Sequence, residues 1–327
     1  MSTPHILTSI VTAIVPTIIY SILLWWLDRY EKEPLHLLFA AFFWGAIPAI
    51  ALAVLFEFIL AIPFEHSPLG PHMTRLGIAP IVEEPLKALA LIGLFFWARH
   101  EFDGPLDGIV YGALIGFGFA MTENVLYFLL DNNPSELFWV RSVAFGMNHA
   151  FFTSMVGLAF GLVRYRHNLL EETIALLIGL MIAIVLHATH NFLAVGFNMT
   201  GLLVSWMVQC SGIVVLFMVA VLSWRHERQW IEHELGEEIH HGIISAYDYN
   251  EIASPSQRMR QQADTFFSGG WTDFQRVRRF HHLTTKLAFC KSKLKLADQS
   301  HCHTEVDRLR REITALRTTL GRETQKP

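Results

Sequence analysis

The chain has 327 residues, 52% of them hydrophobic and only 17% charged, with a formal net charge of −4 and a mean hydropathy of +0.36. Soluble globular chains are about 25% charged, so this composition excludes a disordered chain and gives no reason to expect nucleic acid or another polyanion as partner. Three cysteines are too few and too scattered for a disulfide framework.

The charge is unevenly spread. Residues 1–224 hold 8 Lys/Arg and 15 Asp/Glu, whereas 225–327 hold 17 and 14. The step places a boundary near Trp224. Residues 1–224 read as a transmembrane domain, 225–282 as a linker region and 283–327 as a helical, short coiled-coil segment.

In chain order, seven apolar stretches fall at about 6–27, 35–61, 77–98, 107–130, 143–163, 173–196 and 201–223. Each is close to the roughly 20 residues an α-helix needs to cross a hydrocarbon core. The first lacks a basic leader and a small-residue cleavage site, so it reads as a retained helix. The fold class expected is all-α, a polytopic bundle of about seven membrane helices with a soluble, partly helical tail. Lys and Arg set its orientation. With the N-terminus outside, Arg29, Lys32, Arg99, Arg164, Arg166, Arg225 and Arg228 lie inside, against Arg75 and Arg141 outside. The tail is then cytoplasmic and the protein multi-pass.

Within the tail, Ser254-Pro255-Ser256 and Ser268-Gly269-Gly270 read as loop. Val306, Leu309, Ile313, Leu316 and Leu320 follow heptad spacing. That seam suits either packing on a neighbouring helix of the same chain or self-association through 306–320. Cys290 and Cys302 read as ordinary thiols.

Ionisable residues inside membrane helices are costly and mark function. Here they are Glu83, Glu84 and Lys87 on the third stretch, Glu123 on the fourth, His149 on the fifth, and His187 and His190 on the sixth. Glu57, near one end of the second, reads as an interfacial group. At about 1.5 Å rise per residue, four helices of alternating direction place their Glu and His residues in one layer. Glu83 and Lys87 are spaced i,i+4, as are His187 and Asn191, so each pair shares a face. Pro85 suggests that the third helix begins or bends at the two carboxylates. Two chemistries fit such a set. A Glu–His pair can activate water for attack on a peptide carbonyl while a further His or Asn stabilises the oxyanion. Alternatively Glu84, His149 and His187 can hold a divalent metal such as zinc. The spacing does not choose between them, and no HExxH motif occurs.

The run Asp28-Arg29-Tyr30-Glu31-Lys32-Glu33-Pro34, the block Val82-Glu83-Glu84-Pro85-Leu86-Lys87, and the segment from Asp107-Gly108 through Tyr111-Gly112 to Thr122-Glu123-Asn124 resemble the PrsW family of intramembrane proteases. His149 and His187 stand where that family's later histidine motifs fall. The resemblance covers about residues 1–223. It is similar in turn to the CAAX-type prenyl endopeptidases and the Aph scaffold subunit of γ-secretase, with Lys87 in place of the relatives' Arg and Glu123 in place of a His. It implies cleavage of membrane proteins, with single-pass anti-sigma factors the expected substrates, in a bacterial inner membrane. It implies catalysis by Glu and His, here Glu83, Glu84, Glu123, His149 and His187, supported by Lys87 and Asn191, with zinc an open question; of the two adjacent carboxylates, Glu83 is taken as the base. A proton-coupled carrier and a non-catalytic scaffold are the alternatives.

Overall fold

Among the residues described by this computed structural model, 3–28, 30, 32–131, 137–166, 168–297 and 300–321, every regular element is helical and no strand occurs. Arg29 and Glu31 of the first motif lie outside the described residues, as does the Cys302 side chain. The chain separates into two compact units, 1–28 with 33–220, and 29–32 with 221–327.

The first unit contains α1 (Thr3–Leu27), α2 (Leu35–Phe64), α3 (Ala79–Trp97), α4 (Pro105–Leu130), α5 (Asn148–Leu162), α6 (Leu169–Gly196) and the first part of α7 (Asn198–His240). Among the described residues, six helical stretches are long and apolar enough to cross a membrane, counting α5 with the π-helical turn Trp139–Ala144 before it. The seventh stretch expected from the sequence, α3, has 19 residues but is not among them. The reason is compositional: Glu83, Glu84 and Lys87 lie within it. The element that fails the test of apolarity is the one that carries the clustered charge.

Two helices are interrupted. α2 passes through a π-helical segment, Gly45–Ala49, that contains Pro48. Proline cannot donate to the ladder, and an extra residue per turn relieves its clash with the preceding turn. A second π segment, Thr74–Ile78, leads into α3, whose Pro80 sits in the first turn and whose Pro85 sits in the interior. Of the two readings of Pro85, that the third helix begins or bends at the carboxylates, the first is therefore corrected. The early turn is supplied by Ala79 and Pro80, and Glu83 and Glu84 lie past it.

α4 is the central helix. It is buried almost continuously from Leu106 to Ala120, as expected for a helix apolar all round. Its glycines explain how neighbours come so close. A Cβ on Gly108 would overlap the Gly157 carbonyl, and one on Gly157 would overlap that of Gly108. A Cβ on Gly116 would likewise meet the His149 carbonyl. α4 and α5 thus touch backbone to backbone, as small-residue repeats permit in membranes.

Residues 225–282 are mostly helical, with a turn at 241–245 and a break at Ser254. α7 continues to His240, α8 spans Ala246–Ala253, α9 spans Pro255–Ala297 and α10 spans Ser300–Thr319. Ser245 and Asp248 form a reciprocal capping box that starts α8. Gly270, at φ 75°, turns α9 back on itself. This is a left-handed conformation that glycine adopts without penalty. The two legs are antiparallel: Gln262 meets His281 at 3.1 Å, and Arg258 donates to Thr285 at 3.2 Å. Phe266, Phe267, Trp271 and Phe274 pack ring against ring around the turn.

The heptad residues Val306, Leu309 and Ile313 are buried against Ile231, Leu235, Phe280, Leu283 and Leu287, with Leu316 and Leu320 at the margin. Leu309 and Ile313 are 0% exposed. The seam is filled by the chain's own helices, which is the first of the two readings, packing on neighbouring helices of the same chain, rather than self-association through 306–320. A two-heptad seam looks the same in sequence whichever surface covers it. Cys290 is a buried residue of this core.

Candidate active site

Three of the helices around α4 bring their ionisable residues to one place. From α3, Lys87 is fully buried and its Nζ donates to Glu83 Oε2 at 3.0 Å and to Glu84 Oε1 at 2.8 Å. The same ammonium lies 2.9 Å from His149 Nδ1 on α5. Since Lys87 can only donate, Nδ1 accepts and the imidazole proton sits on Nε2. That Nε2 faces Glu123 Oε2 on α4 at 2.9 Å, which accepts it. From α6, His187 Nδ1 meets Glu84 Oε1 at 2.8 Å. A carboxylate accepts there, so His187 keeps the lone pair on its Nε2. Thr153 donates to Glu84 Oε2 at 3.4 Å.

The result is two carboxylate–imidazole dyads, Glu123–His149 and Glu84–His187, whose rings stand perpendicular with centroids 5.2 Å apart. Glu83 and Lys87 lie between them. Aromatic walls enclose the group: Phe119 lies under the Lys87 ammonium at 3.9 Å and Phe152 stacks on His187 at 5.2 Å. Glu84 is 0% and Glu83 5% exposed. A buried charge is tolerated only when paired, and every charge in this set has a partner of opposite sign.

One ligand atom from each of Glu83, Glu84, His149 and His187 lies within 4.8 Å of the others. Two carboxylates and two imidazoles suit a zinc ion. The Lys87 ammonium already lies among three of these donors, so a divalent ion and Lys87 compete for the same lone pairs.

One expected position differs. Asn191 is not at the cluster: its amide donates to the Arg75 carbonyl at 2.8 Å. His190 is hydrogen-bonded to Ser205 on α7 at 2.7 Å. Two residues went unread in the sequence. Arg141 donates to Glu123 Oε2 at 2.6 Å and to Asn124 Oδ1 at 2.9 Å. Its signal was present, a lone cation in the apolar run Phe138–Val143, but beginning that helix at residue 143 assigned it to a loop. Thr153 had no signal beyond lying one turn from His149.

The PrsW-protease family, described as PrsW family intramembrane metalloprotease, matches residues 33–224. The chain is similar to the protease PrsW of Geobacillus kaustophilus (strain HTA426), 30% identical over 138 residues, which is 42% of this chain and 59% of that protein. It is similar to the protease PrsW of Bacillus subtilis (strain 168), 28% identical over 166 residues, or 51% and 73% of the two chains. The protease PrsW of Oceanobacillus iheyensis is 26% identical over 186 residues, or 57% and 82%. No solved structure matches the chain. With the family match spanning more than half of its length, this multi-pass membrane protein belongs to the PrsW family of intramembrane metalloproteases.

Proposed function

We propose that this protein is an intramembrane endopeptidase that hydrolyses a peptide bond of a membrane-protein substrate at the Glu83, Glu84, His149 and His187 cluster. The observation that carries the reading is the convergence of two carboxylate–imidazole dyads from four helices in a buried, aromatic-walled site. It favours proteolysis over the carrier and scaffold alternatives, since a scaffold needs no such set and the family is one of proteases.

Roles follow from the partners of each oxygen and nitrogen. Glu84 is fully engaged by Lys87, Thr153 and His187, which suits positioning of the His187 ring. Glu83 is held through one oxygen by Lys87, leaving the other to take a proton from water, so Glu83 is the base in this reading. Glu123 fixes the His149 tautomer, itself anchored by Arg141. His187 Nε2, when protonated, is suited to donating to the leaving amine. A zinc ion held by Glu83, Glu84, His149 and His187 would supply Lewis acidity and a more acidic water. We place the site in a bacterial inner membrane with the N-terminus outside and the second unit cytoplasmic. Single-pass anti-sigma factors are the substrate class.

The test is cleavage of a single-pass substrate in proteoliposomes, with metal content measured on the same protein. Glu83→Gln and His187→Ala should each lower cleavage by about 10²-fold or more while the protein still accumulates. Bound zinc should fall in both. Normal cleavage by both variants would overturn the assignment.

A further inference from the structure

The second unit covers its apolar side chains except in one region. Among the described residues from Arg225 onward, the large apolar side chains left exposed are Tyr247, Met259, Phe266, Phe267 and Trp271. All but Tyr247 belong to the hairpin that α9 makes around Gly270. Phe267 is 85% and Trp271 60% exposed. Phe266 meets Phe274 edge-on at 5.9 Å, and Trp271 stacks on Phe274 at 5.3 Å. The rings at the tip therefore form one patch rather than scattered side chains. A contiguous exposed apolar patch marks contact with a protein or with a membrane.

Charge and position favour the membrane. Residues 225–327 hold 17 Lys/Arg and 14 Asp/Glu, of which the hairpin 258–279 holds five Arg and two Asp. The whole positive excess of the unit thus lies in the hairpin, and the rest of the unit is balanced. Arg260, Arg276, Arg278 and Arg279 are exposed along its legs. Aromatic rings settle at the headgroup level of a bilayer, and basic side chains near its surface are drawn to anionic lipid. The foot of the hairpin is tied to a membrane boundary. Arg258 donates to the Tyr30 carbonyl at 3.5 Å and to Thr285 on the opposite leg at 3.2 Å, and its guanidinium lies over the Tyr30 ring at 5.2 Å. Tyr30 belongs to the short link between α1 and α2, both of them long and apolar enough to span. From Arg258 to Gly270 the leg rises roughly 18 Å, at about 1.5 Å per residue. The tip is therefore held within that distance of a bilayer edge.

We propose that this hairpin docks on the surface of an anionic bilayer, with Phe267 and Trp271 lodged among the headgroups and the exposed arginines paired with lipid phosphates. The docked hairpin gives the second unit an attachment to the bilayer besides the helices that cross it.

The test uses the full chain in lipid nanodiscs, made either of phosphatidylcholine alone or of an equimolar mixture with phosphatidylglycerol. A nitrobenzoxadiazole fluorophore is attached at Ser268→Cys, in a chain whose Cys210, Cys290 and Cys302 are replaced by alanine. Its depth is read by quenching from lipids brominated high on the acyl chain. The label should be quenched, and more strongly in the anionic discs. Arg260→Gln and Arg278→Gln should each lower the ratio of docked to undocked hairpin about fivefold. Phe267→Ser combined with Trp271→Ser should abolish the quenching while the helical signal stays unchanged, because neither ring belongs to the buried core of the unit. The two arginine variants leave the rings in place, which keeps the test valid if the turn depends on them. A label left unquenched in both kinds of disc would overturn the proposal. So would quenching indifferent to lipid charge and to both arginines. A label shielded from water yet out of reach of the lipid bromines would also overturn it, since that result places a second copy or another protein on the patch.

Discussion

Lys87 decides how the adjacent carboxylates coexist. Glu83 and Glu84 would repel each other if both were ionised in an apolar surround, and one fully buried ammonium within 3.0 Å answers both. Removing one partner of a buried charge set costs about 3–5 kcal/mol. Lys87→Met should therefore lower stability by roughly that amount, read as thermal unfolding in detergent. Because a divalent ion would meet the same donors, added zinc should recover part of the loss in this variant. No response to zinc would argue that the donors do not take a metal. At this scale much of the site was legible from sequence, since each of Glu83, Glu84, Lys87, Glu123, His149 and His187 stands out as an ionisable residue in an apolar run. Asn191 shows the limit. The i,i+4 spacing places it on the face of His187, but spacing does not reveal that the Arg75 carbonyl is nearer.

Helix contacts set the distances that make the cluster possible. α4 and α5 meet through Gly108 and Gly157, with no side chain between them. Gly157→Val should force the two helices apart, at about 1–3 kcal/mol for the overpacking. It should also move His149, two turns away on α5, out of reach of Glu123. Cleavage should fall further than stability does, compared in one preparation by unfolding midpoint and turnover. Small residues on both helices permit this contact. The π segment Gly45–Ala49 and the interior position of Pro85 were not readable from the sequence. A proline shows where a ladder bond is lost, while the neighbouring packing determines whether the helix ends, widens or continues.

Across the whole molecule, the polar second unit has a core of its own. Ile313→Asp would bury a carboxylate among Leu309, Phe280 and Leu287, and should open α9 and α10 to limited proteolysis without changing oligomeric size. Its pH response follows from two charges. The Arg308 guanidinium holds the Glu305 carboxyl below its ordinary range, against the opposing effect of burial. Burial acts to lower the Lys291 ammonium, but Glu237 and Glu238 outweigh it and hold it above its ordinary range. A lowered carboxylate stabilises above its unfolded pKa and is lost as pH falls through the folded value. A raised ammonium stabilises below its unfolded pKa and is lost as pH rises through the folded value. Stability of this unit should be level between about pH 5 and 9 and decline on both sides, measured by the helical signal on titration. Sequence composition located the tail, yet 225–280 lacks sustained periodicity because its helices are broken at 241–245 and Ser254 and Gly270 reverses the chain. The glycine seam between α4 and α5 has one more consequence. The Glu123–His149 dyad has one member on each side of that seam, so backbone contact sets the spacing of the two. Any adjustment when a substrate arrives should then fall on Glu83, Glu84 and Lys87 of α3 and on His187 of α6, which would divide the site into a fixed jaw and a moving one.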